Sequence, residues 1–161
     1  MIALIQRVTQ AAVHVDGREQ ARIGPGILAL VAVLPEDTPE HAAGLVDRLI
    51  RYRIFSDSEG RMNRSLADIR GELLLVPQFT LAADTHKGLR PGFSGAAPQE
   101  QGRQMFEHLV RQAVQQVGRV QAGVFGADMQ VSLTNDGQAT FWLEYPARAR
   151  QLRQDAQAPA G

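Results

Sequence analysis

The sequence places polar side chains directly after residues 72–76, an apolar segment that predicts a buried strand. Pro77 closes this segment, and Gln78 and Thr80 follow it. Where a strand leaves a sheet, its main-chain N–H groups lose their partners, and free N–H groups with an amide and a hydroxyl can stabilise a developing oxyanion. The same residue types also occur at an ordinary strand end capped by its own side chains. The residues alone therefore leave a catalytic and a structural interpretation open.

Other catalytic schemes have no matching motif. Cysteine is absent, which excludes disulfides, thiolate metal sites and a cysteine nucleophile. The sequence contains no G-x-S-x-G elbow, no phosphate-binding P-loop and no G-x-G-x-x-G fingerprint. The histidines are scattered and lack the H-E-x-x-H spacing of a zinc site: His14, His41, His86 and His108. No motif in the sequence therefore points to a metal site or to another cofactor.

Length and charge indicate one ordinary globular domain. The chain has 161 residues, and one domain typically takes about 150. Lys plus Arg number 17, as do Asp plus Glu, and this balance argues against a strongly basic, nonspecific nucleic-acid binder. The longest apolar run, residues 26–34, is far shorter than the ~20 residues that span a bilayer, and residues 1–10 lack the pattern of a signal peptide. We expect a cytoplasmic protein without membrane contact.

Turn signals and apolar alternation predict the N-terminal strands. Residues 11–15 alternate before Asp16-Gly17, which predicts a hairpin returning through residues 22–23. Glycine and proline at 24–26 precede a short apolar run at 27–34. That run predicts a strand buried on both faces.

Capping signals and helical spacing predict two helices. Thr38-Pro39-Glu40 has the form of an N-cap, a first-turn proline and an early acid, and Pro98 opens the second helix. The expected apolar faces consist of Ala42, Leu45, Val46, Leu49 and Ile50 in the first helix, and Met105, Phe106, Leu109, Val110, Ala113 and Val117 in the second.

The remaining segments predict a short strand at residues 52–55 and a long loop at 82–98, of the kind that often carries functional residues. Asn135-Asp136-Gly137 predicts a hairpin between residues 129–133 and 140–143. About seven strands and two helices in one domain predict a mixed α+β fold with the helices on one side of the sheets.

Five motifs, in order along residues 1 to 144, resemble those of the D-aminoacyl-tRNA deacylases. They are Ile5-Gln6-Arg7-Val8, Tyr52-Arg53-Ile54-Phe55, Pro77-Gln78-Phe79-Thr80-Leu81-Ala82-Ala83-Asp84, Gly88-Leu89-Arg90-Pro91-Gly92-Phe93-Ser94, and Ala127-Asp128-Met129-Gln130-Val131-Ser132-Leu133-Thr134-Asn135-Asp136-Gly137. The resemblance implies a three-layer β/β/α fold with barrel-like sheets and a single deacylase domain over residues 1–145. Residues 146–161 are rich in Ala, Arg and Gln, and this composition predicts a frayed tail. The resemblance also implies a homodimer, without metal or cofactor, that hydrolyses the ester between a D-amino acid, or glycine, and the terminal adenosine of tRNA.

At the strand end, the resemblance implies that Gln78, Phe79 and Thr80 line the active site. The Phe79 N–H, with the Thr80 hydroxyl as a second donor, would stabilise the tetrahedral oxyanion, and losing one such donor typically costs ~3 kcal/mol. Gln78 would orient the substrate. Thr80 has no base beside it in the sequence, so water activated by the adenosine 2′-hydroxyl is the favoured nucleophile. Met129, which alternates with Val131, is either a pocket wall or a core residue.

A second family motif corresponds to Asn135, Gly137, Gln138 and Thr140 and enters the pocket of the neighbouring subunit. Its main-chain carbonyls exclude L-enantiomers, and an arginine that corresponds to Arg7 fixes its orientation. Gln138 stands where the family has a proline after a cis bond. A cis bond costs ~3–4 kcal/mol before other residues and under ~1 kcal/mol before proline, so we expect a trans Gly137–Gln138 bond. A trans bond would re-aim the carbonyls that exclude L-substrates.

Two alternatives to the deacylase therefore stay open. One is a catalytically weak or L-tolerant tRNA-binding relative, because of Gln138. The other is an esterase or amidase that acts on small D-aminoacyl compounds without tRNA. A further departure, Pro77 where serine is common, removes a main-chain N–H but leaves residues 78–80 intact.

Overall fold

The computed structural model describes residues 1–147, and the predicted tail at 146–161 lies outside this part except for its first two residues. The strands are β1 (Ile2–Val15), β2 (Arg18–Ile23), β3 (Gly26–Ala32), β4 (Phe55–Ser56), β5 (Met62–Arg64), β6 (Glu72–Pro77), β7 (Val120–Ala122) and β8 (Met129–Glu144). The helices are α1 (Pro39–Arg51), α2 (Leu66–Ile69), α3 (Gln99–Gln116) and a 3₁₀ helix at Phe79–Ala82. None of these helices is long and apolar enough to cross a membrane.

Strand β1 pairs with three other strands and so organises the sheet. Its first half runs antiparallel to β3, its second half runs antiparallel to β2, and β8 follows its other side along most of its length. Strand β6 joins β3 in parallel, and β7 joins β6 in parallel. Strand β2 curls over to approach β6 and β7. The result is a nearly closed, barrel-like sheet.

The predicted N-terminal strands are confirmed. Asp16 has φ 50° and Gly17 has φ 74°, the left-handed pair that a two-residue hairpin turn needs between β1 and β2. Strands β3 and β6 are buried along nearly all of their length, as their continuous apolar sequences predict. Gly26 begins β3 so close to β6 that a Cβ atom there would lie 1.8 Å from Glu72 O. Only glycine fits this position.

The two long helices cover one face of the sheet, as predicted. Helix α1 begins with a capping box in which Thr38 Oγ1 accepts from His41 N (3.3 Å) and His41 Nδ1 accepts from Thr38 N (3.4 Å). All five apolar residues predicted for its inner face are buried, and in α3 the buried apolar residues are Phe106, Leu109 and Ala113. Both helices share one core with the sheet. A second core fills the inside of the curled sheet, which confirms the β/β/α layering.

Residues 129–144 do not form the predicted hairpin. They form one strand, β8, and both of its halves pair antiparallel with β1, with Gln10 opposite Thr134 and Gln6 opposite Thr140. Between the two halves, residues 136–139 bulge out of the ladder opposite a single residue of β1; we call this segment the β8 bulge. The hairpin prediction is wrong because pairing with β1 on both sides overrides the local turn preference.

The predicted strand at 52–55 is also wrong over most of its length. Tyr52 ends α1 as its C-cap, and β4 contains only Phe55 and Ser56, paired with β5. The structure adds four short elements that were not predicted from the sequence, namely β5, α2, the 3₁₀ helix and β7. Elements this short contain too few residues to show the apolar periodicity of a helix or a strand.

Candidate active site

A cleft of about 730 Å³ opens where β6 leaves the sheet, a volume typical of small-molecule sites. The end of β6, the loop after the 3₁₀ helix, the first turns of α3 and residues 125–129 line it. Its walls are rich in aromatic and large apolar side chains: Phe79, Phe93, Phe106, Phe125 and Met129. Gln78, Gln99 and Asp128 are the polar side chains on its wall.

The end of β6 leaves two main-chain donors free. Gln78 N donates to Val31 O (2.7 Å), which is the last ladder bond before the chain turns into the 3₁₀ helix. Within that turn Leu81 N donates to Gln78 O (3.3 Å) and Ala83 N to Thr80 O (3.1 Å). The N–H groups of Phe79 and Thr80 have no acceptor among residues 1–147. Such adjacent, unpaired donors can bind an oxygen that carries negative charge.

The Gln78 and Thr80 side chains are joined by a short hydrogen bond, in which Gln78 Nε2 donates to Thr80 Oγ1. Because Oγ1 accepts this bond, the hydroxyl hydrogen of Thr80 remains available to a substrate. Gln78 is half-buried at the cleft, whereas Thr80 is exposed just beyond it. The Phe79 ring is 56% exposed and packs edge-on against Phe93, with 5.2 Å between ring centroids.

Arg7 anchors the β8 bulge. Its side chain is 9% exposed, and its Nε donates to Asp136 O (3.1 Å) and lies 3.2 Å from the Asp136 carboxylate. Its Nη1 donates to Ile54 O (2.6 Å). Asn135 Nδ2 donates to Arg7 O (3.0 Å) and to Ala139 O (3.2 Å), so it ties the two ends of the bulge together. These contacts hold an exposed tip at residues 137–138.

The Gly137–Gln138 peptide bond at this tip is cis. The expectation of a trans bond is wrong, because it rested on the preference of an isolated peptide bond. In the protein, Arg7 and Asn135 fix the main chain on both sides of the tip.

The predicted site residues form two separate groups within one chain. Gln78, Phe79 and Met129 line the cleft with Thr80 beside them, whereas Arg7, Asn135, Gly137 and Gln138 form the bulge and its anchor. Met129 and Asn135 are six residues apart on one extended strand, which corresponds to about 20 Å at ~3.3 Å per residue. A single chain therefore does not bring the bulge tip to its own cleft.

The helical and aromatic wall of the cleft was not predicted from the sequence. Gly102 of α3 and Phe125 lie together there, and a Cβ atom on Gly102 would be 3.3 Å from the Phe125 ring. A glycine inside an otherwise helical segment is the signal that could have indicated this close approach.

The described residues contain no group of three or more histidine, aspartate or glutamate side chains that could hold a metal ion. Three of the four histidines instead lie within 4 Å of a carboxylate of their own region: His14 near Glu19, His41 near Asp37 and His86 near Asp84.

Comparison with known proteins matches this architecture to one family. The model of the D-Tyr-tRNA(Tyr) deacylase family matches residues 4–144. A D-aminoacyl-tRNA deacylase of Nitrosococcus oceani is 58% identical over 146 residues, with 91% of this chain and 94% of that protein covered. A D-aminoacyl-tRNA deacylase of Pseudomonas entomophila is 58% identical over 144 residues, with 89% of this chain and 99% of that protein covered.

Two solved structures share the fold. A c-Myc DNA Unwinding Element Binding Protein aligns with a TM-score of 0.86 and 37% identity, over 91% of this chain and 100% of that chain. A probable eukaryotic D-amino acid tRNA deacylase aligns with a TM-score of 0.75 and 18% identity, over 88% of this chain and 98% of that chain.

These matches extend over the strand end, the cleft and the β8 bulge, so the protein is by class a hydrolase of the deacylase type. The chain belongs to the D-Tyr-tRNA(Tyr) deacylase family, as its five sequence motifs predict.

Proposed function

We propose that this protein hydrolyses the ester that joins a D-amino acid to the 3′-terminal adenosine of tRNA. The observation that carries the proposal is the pair of unpaired N–H groups at Phe79 and Thr80, at the edge of an aromatic cleft. Family membership and relatives named D-aminoacyl-tRNA deacylase support the same reaction. Because its substrate is charged tRNA, the proposal also places the protein in the cytoplasm.

The cleft suits the terminal adenosine. A base can stack on exposed aromatic rings, and each such contact contributes about 1–3 kcal/mol to binding. Phe79 and Phe93 offer a pair of exposed rings at the cleft wall. With the base against these rings, the ester on the ribose lies near the free donors of residues 79–80.

In the proposed mechanism, main-chain and hydroxyl donors stabilise the tetrahedral intermediate. Water attacks the ester carbonyl carbon, and the resulting oxyanion accepts hydrogen bonds from the free N–H groups of Phe79 and Thr80 and from the Thr80 hydroxyl. Gln78 holds the Thr80 side chain through its amide, which leaves that hydroxyl hydrogen free. The adenosine 2′-hydroxyl relays the proton: its oxygen takes a proton from the attacking water as its own hydrogen passes to the 3′-oxygen. The bond between the carbonyl carbon and the 3′-oxygen then breaks, so no protein base is needed.

We propose further that two copies of the chain complete each site. The β8 bulge is exposed at residues 137–138 and rigidly anchored by Arg7. In a homodimer it would enter the cleft of the partner, where the main-chain carbonyls beside Gly137 exclude the side chain of an L-amino acid. Glycine has no side chain for this arrangement to exclude, so glycyl-tRNA is a second expected substrate.

The test is hydrolysis at catalytic protein concentration, with tRNA carrying D-tyrosine, L-tyrosine or glycine, and with free D-tyrosine esters. We expect turnover of D-tyrosyl- and glycyl-tRNA and little turnover of the other two. Fast hydrolysis of the L-form would show an L-tolerant relative. Equal turnover of the free ester would show a small-molecule esterase, and absence of turnover on every charged tRNA would contradict the proposal.

The role of the ribose is tested with tRNA that ends in 2′-deoxyadenosine and carries the amino acid on the 3′-oxygen. Without the 2′-hydroxyl we expect the rate of hydrolysis to fall by at least about 10², in the range of general acid–base contributions. Unchanged turnover would assign the proton transfer to another group.

A further inference from the structure

The loop of residues 84–92 carries two cations beside the cleft that the proposed mechanism does not use. We call it the cationic loop. Its tip contains Lys87, Leu89 and Arg90, all fully on the surface. Leu89 is 104% exposed, so the tip is not packed against the rest of the described chain. A structural role within the protein therefore does not explain the residues at the tip.

The base of the cationic loop is fixed to the cleft. Asp84 and Gly92 exchange two main-chain hydrogen bonds of 2.7 and 2.9 Å, which close the loop. The next residue, Phe93, lines the cleft and packs against Phe79. Arg90 is three residues before Phe93, so their Cα atoms are at most about 11 Å apart. Arg90 is therefore close enough to the cleft wall for its long side chain to reach a ligand that extends out past Phe93.

The two cations of the loop tip have no carboxylate within 4 Å among residues 1–147. The one acidic residue of the loop, Asp84, instead receives the His86 main-chain N–H at 2.9 Å. The other arginine-rich stretch of the chain, residues 48–70, is partly neutralised, with Arg51 paired to Asp47 (3.5 Å) and Arg61 to Glu59 (3.7 Å). The loop tip therefore offers an anion unpaired positive charge close to the cleft.

We propose that Lys87 and Arg90 bind the phosphate groups of the single-stranded 3′ end of tRNA, next to the adenosine held in the cleft. This inference rests on the proposed function. A terminal nucleoside bound in the cleft carries its 5′-phosphate outward through the cleft mouth, and each further nucleotide adds one negative charge. Lysine and arginine at a loop tip suit such backbone contacts, which fix the position of the strand without reading its bases.

The proposal is tested with three substrates that carry the same D-amino acid: aminoacyl-adenosine, aminoacyl-adenosine 5′-phosphate and charged tRNA. The test variant is Lys87→Gln/Arg90→Gln. The control is Arg51→Gln/Arg111→Gln, which removes the same charge from exposed positions of α1 and α3. We expect the ratio of kcat/KM on charged tRNA to kcat/KM on aminoacyl-adenosine to fall about tenfold in the test variant and to stay unchanged in the control.

Salt dependence gives a second measurement. Two contacts to single-stranded phosphates contribute about −1.4 to the slope of log(kcat/KM) against log[salt]. Between 50 and 200 mM salt, the native protein should therefore lose about sevenfold more activity on charged tRNA than the test variant does. Parallel salt curves for the two proteins would overturn the proposal.

The outcomes separate this inference from the proposed function. An equal loss on all three substrates would show that the loop only shapes the cleft, and the absence of any loss would show that it binds no phosphate; either result overturns the inference. If the native protein hydrolyses none of the substrates, the proposed function fails. In that case the loop is tested by measuring the affinity of the protein for AMP and for adenosine. If the native protein binds both equally well, the inference is overturned. If the native protein prefers AMP and the test variant does not, the inference is supported.

Discussion

Thr80 shows how one hydrogen bond restricts the role of a side chain. Its Oγ1 accepts from the amide of Gln78, and this amide cannot take up the hydroxyl proton. The contact supports Thr80 as a donor to the oxyanion over Thr80 as a covalent nucleophile, because a nucleophile needs a base at hydrogen-bonding distance.

We expect Thr80→Ala to lower kcat by about 10²–10³, the cost of one oxyanion donor, and Thr80→Ser to keep most of the activity. The measurement is single-turnover hydrolysis of D-tyrosyl-tRNA. Full activity of Thr80→Ala would remove the hydroxyl from the mechanism, and an acyl-threonine trapped in the native protein would make it the nucleophile.

Arg7 uses its planar guanidinium to bind Asp136 and Ile54 at once, which lysine cannot reproduce. We expect Arg7→Lys to lower the free energy of unfolding by about 2 kcal/mol, as for a buried hydrogen bond to a charged group. Arg22→Lys is the matched control, because its pair with Glu19 is exposed (2.9 Å) and should matter by less than about 1 kcal/mol. Urea denaturation measures the free energy of unfolding of the two variants. An equal loss of stability in Arg7→Lys and Arg22→Lys would contradict the anchoring role of Arg7.

At the scale of elements, the start of β3 depends on the absence of a side chain at Gly26. We expect Gly26→Ala to destabilise the protein by about 3 kcal/mol, through overpacking against Glu72 O. In the control Gly24→Ala the new Cβ would lie 3.7 Å from its nearest neighbour, Glu72 Oε1, so we expect a change of under about 0.5 kcal/mol. Thermal unfolding measures the melting temperatures of the two variants. Similar melting temperatures for Gly26→Ala and Gly24→Ala would argue against the close approach of β3 to β6 at Gly26.

The elements also show how far the sequence alone predicts this fold. Both long helices, the first hairpin and the buried strands β3 and β6 follow from capping residues, turn residues and apolar runs. The β8 bulge does not, because Asn135-Asp136-Gly137 is locally a turn and only the long partner strand β1 keeps it in the ladder. The residues of the strand end were predicted from the sequence, whereas the aromatic wall was not, because Phe93, Phe106 and Phe125 come together only in the tertiary structure.

For the whole molecule, the separation of cleft and bulge tip within one chain makes the assembly testable. Gly137→Ala should fold, because the added Cβ would meet nothing nearer than Asn135 Oδ1 at 3.5 Å, yet it should obstruct the partner's cleft. When Gly137→Ala subunits are mixed with Thr80→Ala subunits, each hybrid dimer has one intact site, built from the cleft of the first variant and the bulge of the second. Random pairing makes about half of the dimers hybrid, so we expect the mixture of two weak variants to recover about one quarter of native activity. The sum of the two separate activities would instead mean that each chain works alone.

The pairing of β1 with β8 also affects how the protein is made. Residues 2–15 leave the ribosome well before their long partner, residues 129–144, which is synthesised more than a hundred residues later. Contacts between such distant segments slow folding, so the nascent chain carries an unfinished apolar strand through most of its translation. Helix α1 and the first hairpin can form early, whereas the closed sheet must wait for the last strand.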